Sequence, residues 1–411
     1  MNEMELSSVL VYLAVVLLAA KLSGELFSRL GQPPVIGELI SGMLLGPFVA
    51  GQISNALLGT SLFINMYSPA GQALSVFSNI GIILLLFLAG LSVDLDEFKS
   101  AGKVSSLIAG GGVLASFMFG FGVAWLAGWG SIEAAFLGAV LTATSVGITV
   151  RTLVDLGKLH TRVGTAILEA AVIDDVLGIM VLSILSGIVM GSLSIMGISE
   201  TIILMAAFIV LVLVLGFRIL PRLMRFIGKF QVEEMALALA LVVVFVVSAL
   251  AELVRLAAIT GAFLAGIVMS KLPVARSLRD KVTSMGYALF IPIFFTEMGI
   301  RMDFGELAGV GLLAGAAIIA AAFLSKIVGC GGGALVGGFS GMDSLRVGVG
   351  MIPRAEVALV IAAIGVRSGV VAHGLLSMTV LIVLVTTLAS PFLMVRAFRH
   401  ASGEEGGIGS G

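Results

Sequence analysis

Asp174 and Asp175 stand side by side in RVGTAILEAAVIDDVLGIMVLSIL, residues 162–185, a run otherwise apolar enough to cross a membrane. Each carboxylate near mid-bilayer costs roughly 2.5–3.5 kcal/mol on insertion scales, so acids retained there mark ion or proton pathways. A carboxylate facing an aqueous cavity binds either a proton or a dehydrated monovalent cation, and small hard cations take oxygen ligands. Successive helical residues point about 100° apart. One aspartate can therefore pair with a neighbouring helix while the other faces the cavity, and the spacing leaves open which does which.

Three more charges fall inside apolar runs: Lys326 in AAFLSKIVGCGGGAL, and Arg354 and Glu356 in RVGVGMIPRAEVALVIAAIG. A desolvated lysine can give up its proton, which makes Lys326 a mobile partner for an aspartate. Arginine keeps its charge, so Arg354 reads as a fixed charge balancing Glu356 and the ends of the broken helices. Thr142, Thr144 and Ser145, in AFLGAVLTATSVGITVRTL, are poor helix formers whose oxygens suit a cation. Such hydroxyls also bond their own helix backbone. Glu169 and Glu297 are candidate modulators. Glu169 lies about two turns inside its span, and Glu297 lies one turn before Arg301. His160 and His373 sit at loop edges. No cofactor motif, metal-ligand cluster, nucleophile–base arrangement or nucleotide loop emerges from the sequence, so an enzyme reading has no support.

The elements holding these residues belong to a membrane chain. Its 411 residues are 59% hydrophobic and 11% charged, against roughly 25% charged in soluble proteins. Mean hydropathy is +1.19. A net charge of −1 gives no electrostatic case for nucleic acid. The lone Cys330 excludes an intrachain disulfide. The acidic N-terminus lacks the basic region of a signal peptide, so the first apolar run is expected to be retained.

The expected fold is an all-α polytopic membrane protein of thirteen spans, near 6–28, 33–48, 72–93, 102–127, 132–154, 163–188, 200–225, 233–253, 257–271, 284–300, 307–336, 346–366 and 373–396. Residues 51–70 are expected at the interface and 397–411 as a short cytoplasmic tail. With the N-terminus outside and the C-terminus inside, only Arg255, Arg301 and Arg367 of the 23 lysines and arginines fall outside, and Lys326 and Arg354 lie within spans.

The chain also repeats itself. Gly90, Asp94 and Glu97 match Gly299, Asp303 and Glu306 at one offset of 209 residues. Gly37 and Gly42 match Gly261 and Gly266 at an offset of 224. The charge count puts Asp94 inside and Asp303 outside, so the repeats, 6–188 and 233–396 around a linker helix 200–225, would be inverted. Inverted repeats with broken helices mark secondary transporters with a midplane site. Pro353 breaks one helix, and it pairs through the repeat with the Thr142–Ser145 segment. Two such helices crossing present four half-helix ends that need fixed charges to balance them.

LTATSVGIT at 141–149, AAVIDDVLG at 170–178, IPIFF at 291–295, Lys326 and GMIPRAEVAL at 350–359 resemble the monovalent cation:proton antiporter 2 family. These are Na+/H+ exchangers that include NapA and, more distantly, NhaA. The resemblance implies exchange of Na+, and of Li+ in some members, for H+. Asp175 would be the principal ion ligand, with Asp174 paired to Lys326. Thr142, Thr144 and Ser145 would lie at the unwound crossing. It further implies electrogenic, elevator-like transport by a homodimer in a bacterial plasma membrane. Dimerisation helices would come from 6–48 and 200–271, and core helices from 72–188 and 284–396. Glu169 and Glu297 depart from the family pattern. No nucleotide-binding domain of the Kef potassium-efflux type follows residue 396, which argues against ligand-gated efflux. A K+/H+ antiporter or potassium efflux protein and a sodium-coupled organic anion symporter remain as alternatives. The symporter would not need Lys326 beside the acid pair.

Overall fold

The computed structural model describes residues 3–59, 63–92, 95–189, 195–227, 234–302, 312–354, 356–367, 371 and 374–399. All regular structure among them is helical. In chain order the helices are α1 (Glu3–Arg29), α2 (Pro34–Leu45), α3 (Gln52–Leu58), α4 (Pro69–Leu91), α5 (Leu95–Leu126), α6 (Ser131–Thr142), α7 (Val146–Asp155), α8 (Arg162–Val189) and α9 (Ile195–Ile227). They continue as α10 (Met235–Leu253), α11 (Ala258–Ser270), α12 (Ala275–Met285), α13 (Ile291–Ile300), α14 (Leu312–Val336), α15 (Gly341–Gly350), α16 (Glu356–Arg367) and α17 (Gly374–Arg399).

Ten helical segments among the described residues are long and apolar enough to cross a membrane, α2 with α3, α6 with α7 and α12 with α13 each counting as one. Two shorter apolar helices, Ala258–Ser270 and Val357–Val366, accompany them. Within the stretch expected at the interface, 52–58 is a short helix. Asp94, Asp303, Glu306 and His373, and the side chains of Glu97 and Glu356, lie outside the described residues.

The chain divides into two compact units. One comprises Met1–Arg29, Pro34–Leu95 and Ser199–Met302; the other comprises Leu30–Pro33, Asp96–Ile198 and Asp303–Gly411. This differs from the expectation that spans 72–93 and 284–300 belong to the core. The physical reason lies in two backbone crossings inside the first unit. Gly42 of α2 meets Gly299 of α13, and Gly90 of α4 meets Gly266 of α11. A Cβ on Gly42 would overlap Thr296 O and stand 2.9 Å from the Gly299 Cα. A Cβ on Gly266 would overlap Phe87 O and stand 2.8 Å from the Gly90 Cα. Glycine permits such contact because nothing projects from its Cα.

The two crossings are copies of each other. Phe87 and Thr296 differ by 209 residues, as do Gly90 and Gly299; Gly42 and Gly266 differ by 224, as do Leu39 and Phe263, whose carbonyls lie against Gly299 and Gly90. Two helix pairs, α2 with α13 and α11 with α4, thus meet through the same kind of glycine contact. Gly42→Ala is expected to lower stability by about 3 kcal/mol or more, beyond ordinary overpacking, because the obstacle is backbone rather than a movable side chain. Thermal unfolding in detergent checks this; a midpoint equal to the parent's would contradict the crossing.

Candidate ion-binding site

The second unit holds the charged constellation, and two interrupted helices frame it. α6 stops at Thr142 and α7 starts at Val146, while α15 stops at Gly350 and α16 starts at Glu356. The Pro353 ring has no N–H and disfavours helical geometry at Ile352, which accounts for the second break. The breaks meet: the Ser145 amide donates to Pro353 O at 2.7 Å, and the Thr149 hydroxyl donates to Gly350 O at 2.6 Å.

Helix ends expose carbonyls that need partners. Lys326, on α14, donates to Thr142 O at 2.9 Å, and Arg354 donates to Leu141 O at 3.0 Å. Two cations therefore close the C-terminal end of α6, where the half-helix dipole is negative. Arg354 also donates to Ile352 O at the end of α15 and lies 3.5 Å from Ser325 Oγ. Its own backbone is clamped. Its amide donates to Thr386 Oγ1 at 3.2 Å and its carbonyl accepts from Thr387 Oγ1 at 2.8 Å. Both Lys326 and Arg354 are 0% exposed.

Lys326 has a second oxygen. Its Nζ lies 3.3 Å from Asp174 Oδ1, with both side chains buried. Asp175, the next residue on α8, is partly exposed. The two carboxylates thus occupy different environments, as the 100° step requires. Breaking a buried pair by removing one partner typically costs about 3–5 kcal/mol, so Lys326 and Asp174 depend on each other.

The three hydroxyl candidates are placed differently. Thr142 Oγ1 donates to Ala139 O of its own helix at 2.7 Å, so this residue meets the constellation through its carbonyl. Thr144 Oγ1 is buried without a hydrogen-bond partner among the described residues, and it is the hydroxyl that offers an open oxygen. Ser145 engages Pro353 through its amide. Residue type did not point to Thr386 or Thr387, whose partners are backbone groups, or to Ser325, which meets the Arg354 guanidinium and accepts from the Ser116 hydroxyl at 3.3 Å.

Glu169 is buried on α8 and accepts from Ser105 Oγ of α5 at 2.6 Å. Glu297 lies in the first unit. Its carboxylate accepts from Ser75 Oγ at 3.2 Å, Ser78 Oγ at 3.1 Å and the Arg301 guanidinium. That is the local pairing expected from the four-residue spacing. Among the described residues no three His, Cys, Asp or Glu side chains come together as a metal cluster.

The family model described as "Sodium/hydrogen exchanger, transmembrane" matches residues 13–395. The chain belongs to the sodium/hydrogen exchanger family. The exchanger is 36% identical over 388 residues to the Na(+)/H(+)-K(+) antiporter GerN of Bacillus cereus, covering 94% of this chain and 95% of that one. It is 33% identical to the high-affinity Na(+)/H(+) antiporter NhaS3 of Synechocystis sp., over 97% and 92% of the two chains. The sodium proton antiporter MjNhaP1 from Methanocaldococcus jannaschii shares its fold, with a TM-score of 0.67 and 18% identity over 96% of this chain and 99% of that one. The exchanger is an integral membrane protein of the Na+/H+ antiporter class.

Proposed function

We propose that the exchanger moves Na+ inward or outward against H+ through one carboxylate site, Asp175, exposed alternately to the two sides. The observation that carries this reading is the buried Lys326–Asp174 pair at the crossing of two broken helices, with a second, partly exposed aspartate one residue on. A proton and a cation compete for Asp175. Thr144 Oγ1 supplies a neutral oxygen, and no other hydrogen-bond partner among the described residues claims it. When a cation draws Asp174 away from Lys326, the lysine gives its proton to water. That second proton makes exchange electrogenic. Arg354 stays charged throughout and holds the α6 and α15 carbonyl ends together.

In this reading the second unit carries the ion and moves as an elevator against the first, which joins two protomers in a homodimer of a bacterial plasma membrane. Hydropathy favours thirteen spans, the charge bias favours the N-terminus outside and the C-terminus inside, and the matching glycine crossings support inverted repeats. Potassium is a second candidate cargo, favoured by the likeness to a protein named Na(+)/H(+)-K(+) antiporter.

Proteoliposomes under an imposed pH gradient test the cargo. Na+ is expected to dissipate the gradient at millimolar concentration. Dissipation by K+ alone would replace Na+ with K+ in this account, and dissipation by neither would overturn it.

A further inference from the structure

The α8 helix carries a third acid that the exchange step does not use. Glu169 is 4% exposed and is held by Ser105 Oγ at 2.6 Å. Five residues separate it from Asp174, about 7.5 Å along the helix. The neighbouring helix α5 touches both places from one face. Ser105 and Gly112 of α5 are seven residues apart, on one face and about 10 Å apart. Gly112 marks where α5 runs beside the buried lysine, since a Cβ there would stand 3.6 Å from Lys326 Nζ. Glu169 and Lys326 Nζ therefore lie against one face of α5, two turns apart.

Among the described residues, the charges on the surrounding elements have the following partners or exposure. Lys326 is held by Asp174 and Thr142 O. Arg151 bonds Asp155 on α7, Arg346 bonds Asp343 on α15, and Glu133 on α6 accepts from the Gly130 amide. Arg162, at the start of α8, stacks over Phe339, and Lys103 on α5 is exposed. Arg354 is taken up by the helix-end carbonyls. Asp175 is partly exposed on α8 itself.

We propose that Glu169 is a proton-carrying residue of the exchange cycle, taking up the proton released near Asp174 and Lys326 and passing it on along the α5–α8 seam, with Ser105 orienting its carboxyl. The step is a plain proton transfer. Glu169 carboxylate gains a proton through water from the released ammonium or carboxylic acid, and returns it to water. The reading rests on proton exchange at the aspartate site. It goes further by assigning the proton a second stop.

The test is exchange by purified protein in proteoliposomes across pH 5.5–9. Glu169→Gln keeps the shape and an oxygen for Ser105 but cannot carry a proton. It is expected to lower maximal turnover about tenfold and leave the apparent Na+ KM within about twofold. Glu169→Asp should restore much of the rate. A pH profile and turnover for Glu169→Gln that overlay the parent's would overturn the proposal while leaving antiport at Asp175 intact. Loss of exchange in the parent protein would instead remove the reading beneath it. Should Glu169→Gln fail to assemble, Ser105→Ala decides. It leaves the acid and removes only its donor, and is expected to move the pH midpoint by about half a unit or more. An unmoved midpoint in Ser105→Ala would overturn the proposal.

Discussion

Asp175→Asn is expected to lower Na+-driven proton movement at least about 100-fold, equivalent to about 2.7 kcal/mol. Asparagine keeps the volume and one oxygen of the side chain, so α8 should pack unchanged. It loses the charge, and a neutral amide cannot trade a proton for a cation. The partial exposure of Asp175, beside an Asp174 that is buried against Lys326, is the reason the loss falls on this residue. Size-exclusion profile and thermal midpoint should match the parent's, which separates loss of chemistry from loss of fold. Undiminished exchange by Asp175→Asn would remove the assigned site.

The second large effect concerns Lys326. Lys326→Ala strips a buried carboxylate of its cation and leaves Thr142 O without its donor, so a stability loss of about 3–5 kcal/mol is expected. Lys326→Gln retains hydrogen-bonding capacity and should lose less. Its exchange is expected to become independent of membrane voltage, because the second proton per cycle travels on the lysine. Unchanged voltage dependence in Lys326→Gln would contradict that role. Pairing Lys326→Gln with Asp174→Asn should recover part of the stability lost in either single variant, since the pair is then replaced rather than broken.

Much of this site is legible in the amino-acid sequence, for physical reasons that differ from residue to residue. The aspartates declare themselves by their cost in an apolar span. Pro353 declares a break by its missing amide proton, and the all-helical membrane character follows from hydropathy. Four of the glycines matched at offsets of 209 and 224, Gly42, Gly90, Gly266 and Gly299, are the ones at the two helix crossings. Other features depend on who meets whom across the fold. Residue type marks Arg354 as a fixed charge for the broken helix ends, but it does not select Leu141 O as the acceptor, or Thr386 and Thr387 as the clamp on its backbone. Carbonyl partners are alike at every position, so only packing selects them.

The grouping of α4 and α13 shows the same limit. Chain order placed them beside the helices that follow them, whereas Gly90 and Gly299 tie them by backbone contact to α11 and α2. Thr142 was attractive for its hydroxyl and contributes its carbonyl. Glu297 was legible through Arg301 four residues on, but Ser75 and Ser78, more than two hundred residues away, were not.

The central claim is that one aspartate binds proton or cation but not both at once. Proton release on adding Na+ to lightly buffered, detergent-purified protein measures that competition directly. The account predicts acidification that saturates with Na+, falls away at high pH where the site has already lost its proton, and disappears in Asp175→Asn. Na+ binding without proton release at any pH, or release that persists in Asp175→Asn, would contradict it.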